Sequence, residues 1–245
     1  MKLFAFFVSA VLVFSLSACG RQAGGGFAVV EEEFSDCLLC KAAKEGDLDK
    51  TELLLAVGAN PNAVSSNINA NPEHKEIVGD FPLRFAVFAK RADIVRMLLE
   101  GGANPNQANK DGATPLTAAT TAEIANILLD AGANPDTTTT NKEGGTALMF
   151  AAYHGQLEIV KVLLDNGANP NMAAQDGWTA LNIAANNGQG AVAKVLLECG
   201  ASPDKRNNEG VNAWHWANQQ PVMNAIFRRH LEEVKAGKVI KPCPH

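Results

Sequence analysis

The chain has 245 residues and a mass of 25.9 kDa, enough for one or two domains. Apolar residues at 47% and charged residues at 19% exclude a disordered polyelectrolyte, and aromatics at 6% argue for small, closely packed helices over an aromatic-rich sandwich. A net charge of −5 disfavours binding to phosphate backbones.

Met1 to Gly20 reads MKLFAFFVSAVLVFSLSACG. Lys2 is followed by an apolar run from Leu3 to Phe14 and then by small residues, the order of a secretory signal. The run falls short of the ~20 apolar residues of a membrane span, so a cleaved signal is favoured over a retained helix. Arg21 to Phe34 (RQAGGGFAVVEEEF) holds three consecutive Gly and three consecutive Glu, which suits a flexible tether.

A phrase then recurs: Gly58-Ala-Asn-Pro-Asn62, Gly102-Ala-Asn-Pro-Asn106, Gly132-Ala-Asn-Pro-Asp136, Gly167-Ala-Asn-Pro-Asn171 and Gly200-Ala-Ser-Pro-Asp204. A period of about 33 residues indicates a solenoid of stacked units. The clearest unit runs from Gly144 to Asn171. Thr146-Ala147-Leu148 opens a helix through Tyr153, and Gly155 breaks it. Leu157, Val160, Leu163 and Leu164 mark one face of a second helix, with Ile159 and Val162 adding another apolar side. Gly167 stands where a helix end takes the left-handed conformation, and Pro170 forbids continuation.

These features resemble the ankyrin repeat, whose unit has a Thr-Pro-Leu-His opening, an Ala-Ala pair, a mid-unit Gly, a Leu-Leu pair and a Gly-Ala-Asp/Asn ending. Thr114-Pro-Leu-Thr117, Thr146-Ala-Leu-Met149 and Thr179-Ala-Leu-Asn182 are openings, with Phe81-Pro-Leu-Arg84 and Asn212-Ala-Trp-His215 as weaker ones. The resemblance implies an all-α solenoid of about six helix-turn-helix units with short β-hairpin fingers. Cys40, Arg84, Thr117, Met149 and Asn182 replace the opening His, which survives as His215. The third unit is short between Ala119 and Glu123, and Ala63 to Asp80 lengthens the first connecting loop. The expected organisation is a signal peptide over 1–18, a lipidated Cys and tether over 19–36, repeats over 37–231 and a tail over 232–245.

Leu16-Ser17-Ala18-Cys19-Gly20 resembles the lipobox of bacterial lipoproteins. That resemblance implies cleavage before Cys19, acylation there, and a periplasmic chain anchored to the outer membrane.

Catalytic patterns are weak. Gly188-Gln-Gly190-Ala-Val-Ala193 matches the dinucleotide fingerprint loosely, but it lies between two repeat helices and lacks a βαβ unit. His74 beside Glu73 and Glu76 makes a poor metal site, and no metal or cofactor is expected. Cys37, Cys40, Cys199 and Cys243 follow Cys19. An even number in an oxidising compartment suggests bridges, either local between Cys37 and Cys40 or between Cys199 and Cys243. The Cys37-x-x-Cys40 spacing also matches a redox pair. Four unbridged thiols are the remaining alternative.

Varied positions on a repeated frame are free to encode a partner. They include Phe88, Lys142, Glu143, Tyr153, His154, Trp178, Asn186 and Asn187. Trp178 either points outward or packs on a neighbouring finger, and Trp214 and Trp216 fall on core slots. Ankyrin repeats as a family bind proteins and rarely catalyse. The expectation is therefore a non-enzymatic binder of another protein, with no nucleic-acid partner and the lipid as its membrane contact. Some ankyrin lipoproteins resemble immunity proteins that block a lipase toxin from a neighbouring cell. Others support catalase in envelope stress. A thiol oxidoreductase using Cys37 and Cys40 is the enzymatic rival.

Overall fold

The computed structural model describes residues 38–65, 79–140 and 144–237. Helical residues 38–45 (α1) are followed by α2 (Leu48–Ala56), α3 (Pro82–Phe88) and α4 (Ala92–Glu100). A single 3-10 turn, Leu116–Ala118, precedes α5 (Ala122–Asp130). Then come α6 (Ala147–Tyr153), α7 (Leu157–Asp165), α8 (Ala180–Asn186), α9 (Gly190–Glu198), α10 (Ala213–Ala217) and α11 (Pro221–Lys235). First helices pack on first helices (α6 on α8, α8 on α10), and second helices on second helices (α4 on α5, α5 on α7, α7 on α9, α9 on α11). The result is two helical layers sharing one continuous core.

Periodicity explains the layers. In α7, Ile159, Val160, Leu163 and Leu164 are buried, and the equivalent Val192, Ala193, Leu196 and Leu197 are buried in α9. Each such helix is apolar on two sides because it meets both its own partner and the next repeat. Thr146 and Thr179 cap the first helices, their hydroxyls accepting from the amides of Met149 and Asn182 at 3.4 and 3.2 Å. The second helices end alike. The Ala103 amide donates to the Leu98 carbonyl at 2.9 Å and the Gly102 amide to that of Leu99 at 3.0 Å. Gly102 stands at φ 91° with nothing crowding a would-be Cβ, so backbone conformation selects the glycine.

The residue closing each of the first four repeated phrases ties neighbouring repeats together. Asn106 accepts from the Asn134 amide at 2.7 Å and donates to the Gly132 carbonyl at 2.8 Å. Asn62 does the same toward Asn104 and Gly102, and Asn171 toward Ser202 and Gly200. Asp136 accepts from the Asn169 amide at 2.9 Å, but a carboxylate has no amide to donate, so this junction holds half of the clamp.

No strand occurs among the described residues. The expected β-hairpin fingers are tight turns whose arms are joined by the amide of Asn109 donating to the Ala113 carbonyl at 3.0 Å, that of Ala174 to Trp178 at 2.8 Å and that of Asn207 to Val211 at 2.8 Å. They are too short to build a ladder. Their tips stack instead, the Thr140 amide donating to the Asp111 carbonyl and that of Asn208 to the Asp176 carbonyl, both at 2.8 Å. A Cβ on Gly112 would come within 2.6 Å of the Thr140 nitrogen, which is why glycine sits at the tip.

The lengthened first loop closes at its neck, where the Ser65 amide donates to the Asp80 carbonyl at 2.8 Å. Residues 66–78 lie outside the described residues, as do Met1 to Cys37, with the signal and tether, and His74. The last helix runs on to Lys235, past the expected repeat boundary at 231. Among the described residues no helix is long and apolar enough to cross a membrane.

Candidate functional site

The first helices end in exposed side chains. Phe88 at the end of α3 is 51% exposed and Tyr153 at the end of α6 is 58% exposed. His154 stands edge-on to Tyr153, ring centroids 5.1 Å apart. Asn186 and Asn187 are exposed at the same place after α8. Large exposed rings cost solvation unless they meet something, so this row is the leading candidate contact surface. The row is interrupted at the third repeat. There the 3-10 turn stops at Ala118 and Thr121 already caps the next helix, leaving no counterpart to Tyr153.

Trp178 differs from its neighbours. Its ring stacks on Trp216 at 5.8 Å with 27° between planes, and His215 meets Trp216 edge-on at 4.8 Å. Of the two orientations open in the sequence, the structure has the packed one, with Trp178 half-buried. Trp214 and Trp216 are likewise half-buried against the core, Trp214 edge-on to Phe227 at 5.1 Å. Lys142 and Glu143 lie outside the described residues.

Toward the N-terminal end the same face opens into a cavity of about 510 Å³, lined by Lys44, Asp80, Arg84, Phe88, Asn109 and Asp111, with Phe85 and Ala89 as its floor. Arg84 occupies the slot that Cys40, Met149 and Asn182 fill elsewhere, and all three are buried. A guanidinium there needs a counter-charge, and Nη1 of Arg84 donates to Oδ1 of Asp80. The pair is largely buried, at 12% and 8% side-chain exposure. Asn109 donates to the same Asp80 oxygen at 3.2 Å, and the Phe88 ring lies 4.6 Å from the Arg84 guanidinium carbon. Nε of Arg84 is buried without an acceptor. Arg84 was legible in the sequence as a departure from the opening pattern. Its cavity was not, because Lys44, Asp80 and Asn109 come from different repeats.

The cysteines divide. Cys40 is buried at 2% exposure, packed with Leu39, Ala42 and Ala43 in the first repeat. A sulfur so enclosed is poorly placed for thiol exchange. Cys37, the other member of the expected local pair, lies outside the described residues. Cys199, at the end of α9, is disulfide-bonded. Its expected partner, Cys243, lies outside the described residues.

Residues 39–139, 83–173, 121–207 and 148–236 each match the family description "Ankyrin repeats (3 copies)". The chain belongs to the ankyrin-repeat family. The face formed by fingers and first helices is the concave face of this family, and both the exposed row and the cavity lie on it. Similar proteins include the 2-5A-dependent ribonucleases of Mus musculus and Homo sapiens, 39% identical over 98 residues and 38% over 106. The neurogenic locus notch homolog protein 4 of Homo sapiens is 36% identical over 103 residues. These matches cover 40%, 43% and 41% of the ankyrin chain but 12%, 12% and 5% of the relatives. The likeness is one of repeats, and the ribonuclease match carries no catalytic part across to this chain.

Proposed function

We propose that this ankyrin-repeat protein is a lipid-anchored periplasmic binder that occupies a partner protein through its concave face and catalyses nothing itself. The supporting observation is the exposed row Phe88, Tyr153, His154, Asn186 and Asn187, in a fold whose buried positions are otherwise closely packed. The lipobox-like Leu16 to Cys19 supports the anchor. Occlusion of an active site needs a rigid, shaped surface and no reactive group. That is the economy of an immunity protein facing a lipase toxin, the specific role proposed.

Two measurements test the reading. Cys19→Ser abolishes labelling by radioactive palmitate and leaves uncleaved or mislocalised protein; continued labelling rejects the anchor. A lipase encoded beside this gene is inhibited by the purified wild-type domain and is not inhibited by a Tyr153→Ala, His154→Ala double variant. Inhibition unaffected by the double variant moves the contact off this face.

A further inference from the structure

The last second helix is longer than the others. The helices α2, α4, α5, α7 and α9 have nine residues each, whereas α11 has 15. Its first half lies against the start of α9, where a Cβ on Gly190 would meet Cδ1 of Ile226 at 3.1 Å and Cγ1 of Val222 at 3.9 Å. At the end of α9, Glu198 is near enough for its charge to act on the His230 imidazole. The residues after His230 therefore run past Cys199, the cap of α9, as an overhang of about 8 Å. The apolar stripe does not stop where the stack does. Met223 and Phe227 are buried, and Leu231 and Val234 continue their face at helical spacing, yet stand 40% and 43% exposed. An apolar stripe carried into solvent calls for a cover.

Two observations say what covers it. Cys199, at the root of the overhang, is disulfide-bonded. Cys40 lies in the first repeat and Cys37 directly precedes α1, four repeats away, and Cys19 is the proposed lipid site, which leaves Cys243. Then α11 ends in a chain reversal, with the Gly237 amide donating to the Val234 carbonyl at 3.1 Å and Gly237 at φ 71°. Cys243 is six positions beyond Gly237, a reach of at most ~20 Å, ample for the ~8 Å back along the overhang. The segment between them carries an apolar pair, Val239 and Ile240.

We propose that residues 238–243 return along the overhang of α11 and seat Val239 and Ile240 on Leu231 and Val234, with a Cys199–Cys243 disulfide fastening the return. The tail is then the terminal cap of the solenoid, covering the apolar stripe that the last repeat leaves open. The bond forms as the two thiols lose two protons and two electrons to a protein disulfide, which is reduced to a dithiol.

The test uses the full mature chain in detergent. Its Cys199–Cys243 bond is equilibrated with reduced and oxidised glutathione, and the bridged fraction is read by alkylation and mass mapping. The resulting effective concentration of the two thiols measures how firmly the tail is seated. The pair Leu231→Ser, Val234→Ser lowers it about tenfold, and so does Val239→Ser, Ile240→Ser on the tail side, as expected for losing the burial of aliphatic side chains. All four changes together lower it no further than either pair, because each pair removes the same contact. Val222→Ser, at the other end of α11, leaves it unchanged. Far-UV spectra matching the wild type show that the stack is intact, and the tail-side pair lies outside the helix altogether. The proposal is overturned if Cys199 is bridged to a cysteine other than Cys243, if either serine pair leaves the effective concentration unchanged, or if the two pairs act additively. It is also overturned if Leu231→Ser, Val234→Ser instead dissociates a dimer, which makes a second copy the occupant.

Discussion

The third and fourth repeats share one sequence frame and differ most in the first helix. In the fourth, α6 runs over Ala147–Tyr153 before α7 begins; in the third, the first helix is reduced to the 3-10 turn Leu116–Ala118. The second helices scarcely notice. Ile124, Ala125 and Leu128 of α5 are buried as Ile159, Val160 and Leu163 of α7 are, and α5 still packs between α4 and α7. The stack is held by the apolar stripe of the second helices and by the side-chain clamps between phrases. First-helix length is free to vary, and its variation shapes the concave face. The break in the exposed row falls at the third repeat, and the charged cavity is centred on Arg84 of the second, where the frame departs most.

The largest change separates frame from surface. Leu163→Ala is expected to cost roughly 2–5 kcal/mol, and Leu128→Ala in the shortened repeat a similar amount, both read from denaturant midpoints. A cost at Leu128 well below that at Leu163 breaks the comparison, because it shows that the missing first-helix turn loosens the second layer.

The disulfide at Cys199 lies in the fifth repeat, two units beyond the shortened one. If Cys243 closes it, the loop spans 44 positions and contributes up to about 4 kcal/mol in the chain-entropy model. Peptide mapping under non-reducing conditions finds Cys199 and Cys243 linked, and Cys243→Ser lowers the midpoint. Alkylation of Cys243 in the oxidised protein rejects the pairing.

The clamps sharpen the comparison at the junction between the two repeats. Asp136→Asn supplies the missing donor toward the fourth repeat and is expected to raise stability by about 1 kcal/mol, while Asn106→Asp removes the donor bond to Gly132 and lowers it by about as much. Equal effects of the two changes in one direction contradict the clamp.

Surface aromatics divide on the same logic. Trp178→Ala removes the stack on Trp216 and costs about 1 kcal/mol of stability. Tyr153→Ala leaves the midpoint unchanged, as expected for a ring 58% exposed, and its effect is confined to partner binding. A drop in the midpoint for Tyr153→Ala means that the ring serves the fold.

The smallest effect belongs to the terminal helix. Burial holds the His230 imidazolium below its ordinary pKa, opposed by the carboxylates of Glu233 and Glu198. The unfolded chain therefore takes the proton first, and stability declines as pH falls through the ordinary histidine value, about 6.5, toward the lower folded value. His230→Gln flattens this decline by less than about 1 kcal/mol, seen by thermal melts across that range. A steeper decline in the variant reverses the sign and rejects the assignment.

The sequence by itself determined the repeat, because its information is local. Gly102, Gly132, Gly167 and Gly200 each need one backbone conformation, the Leu pairs need one helical face, and Thr146 and Thr179 cap the next helix in chain order. It also marked Tyr153, His154, Asn186 and Asn187 as the positions where a shared frame lets residues vary. Only the tertiary structure decided which varied residues stay exposed. Trp178 and Trp216 are 38 positions apart, and their stacking depends on the offset between two repeats. The clamp residues read locally as turn formers, yet their partners lie one repeat away, as for Asn106 and Gly132. Lys44 and Asn109 reach the local Arg84–Asp80 pair for the same reason. Stacking, whose energy comes from faces with no sequence adjacency, converts a period along the chain into neighbours in space.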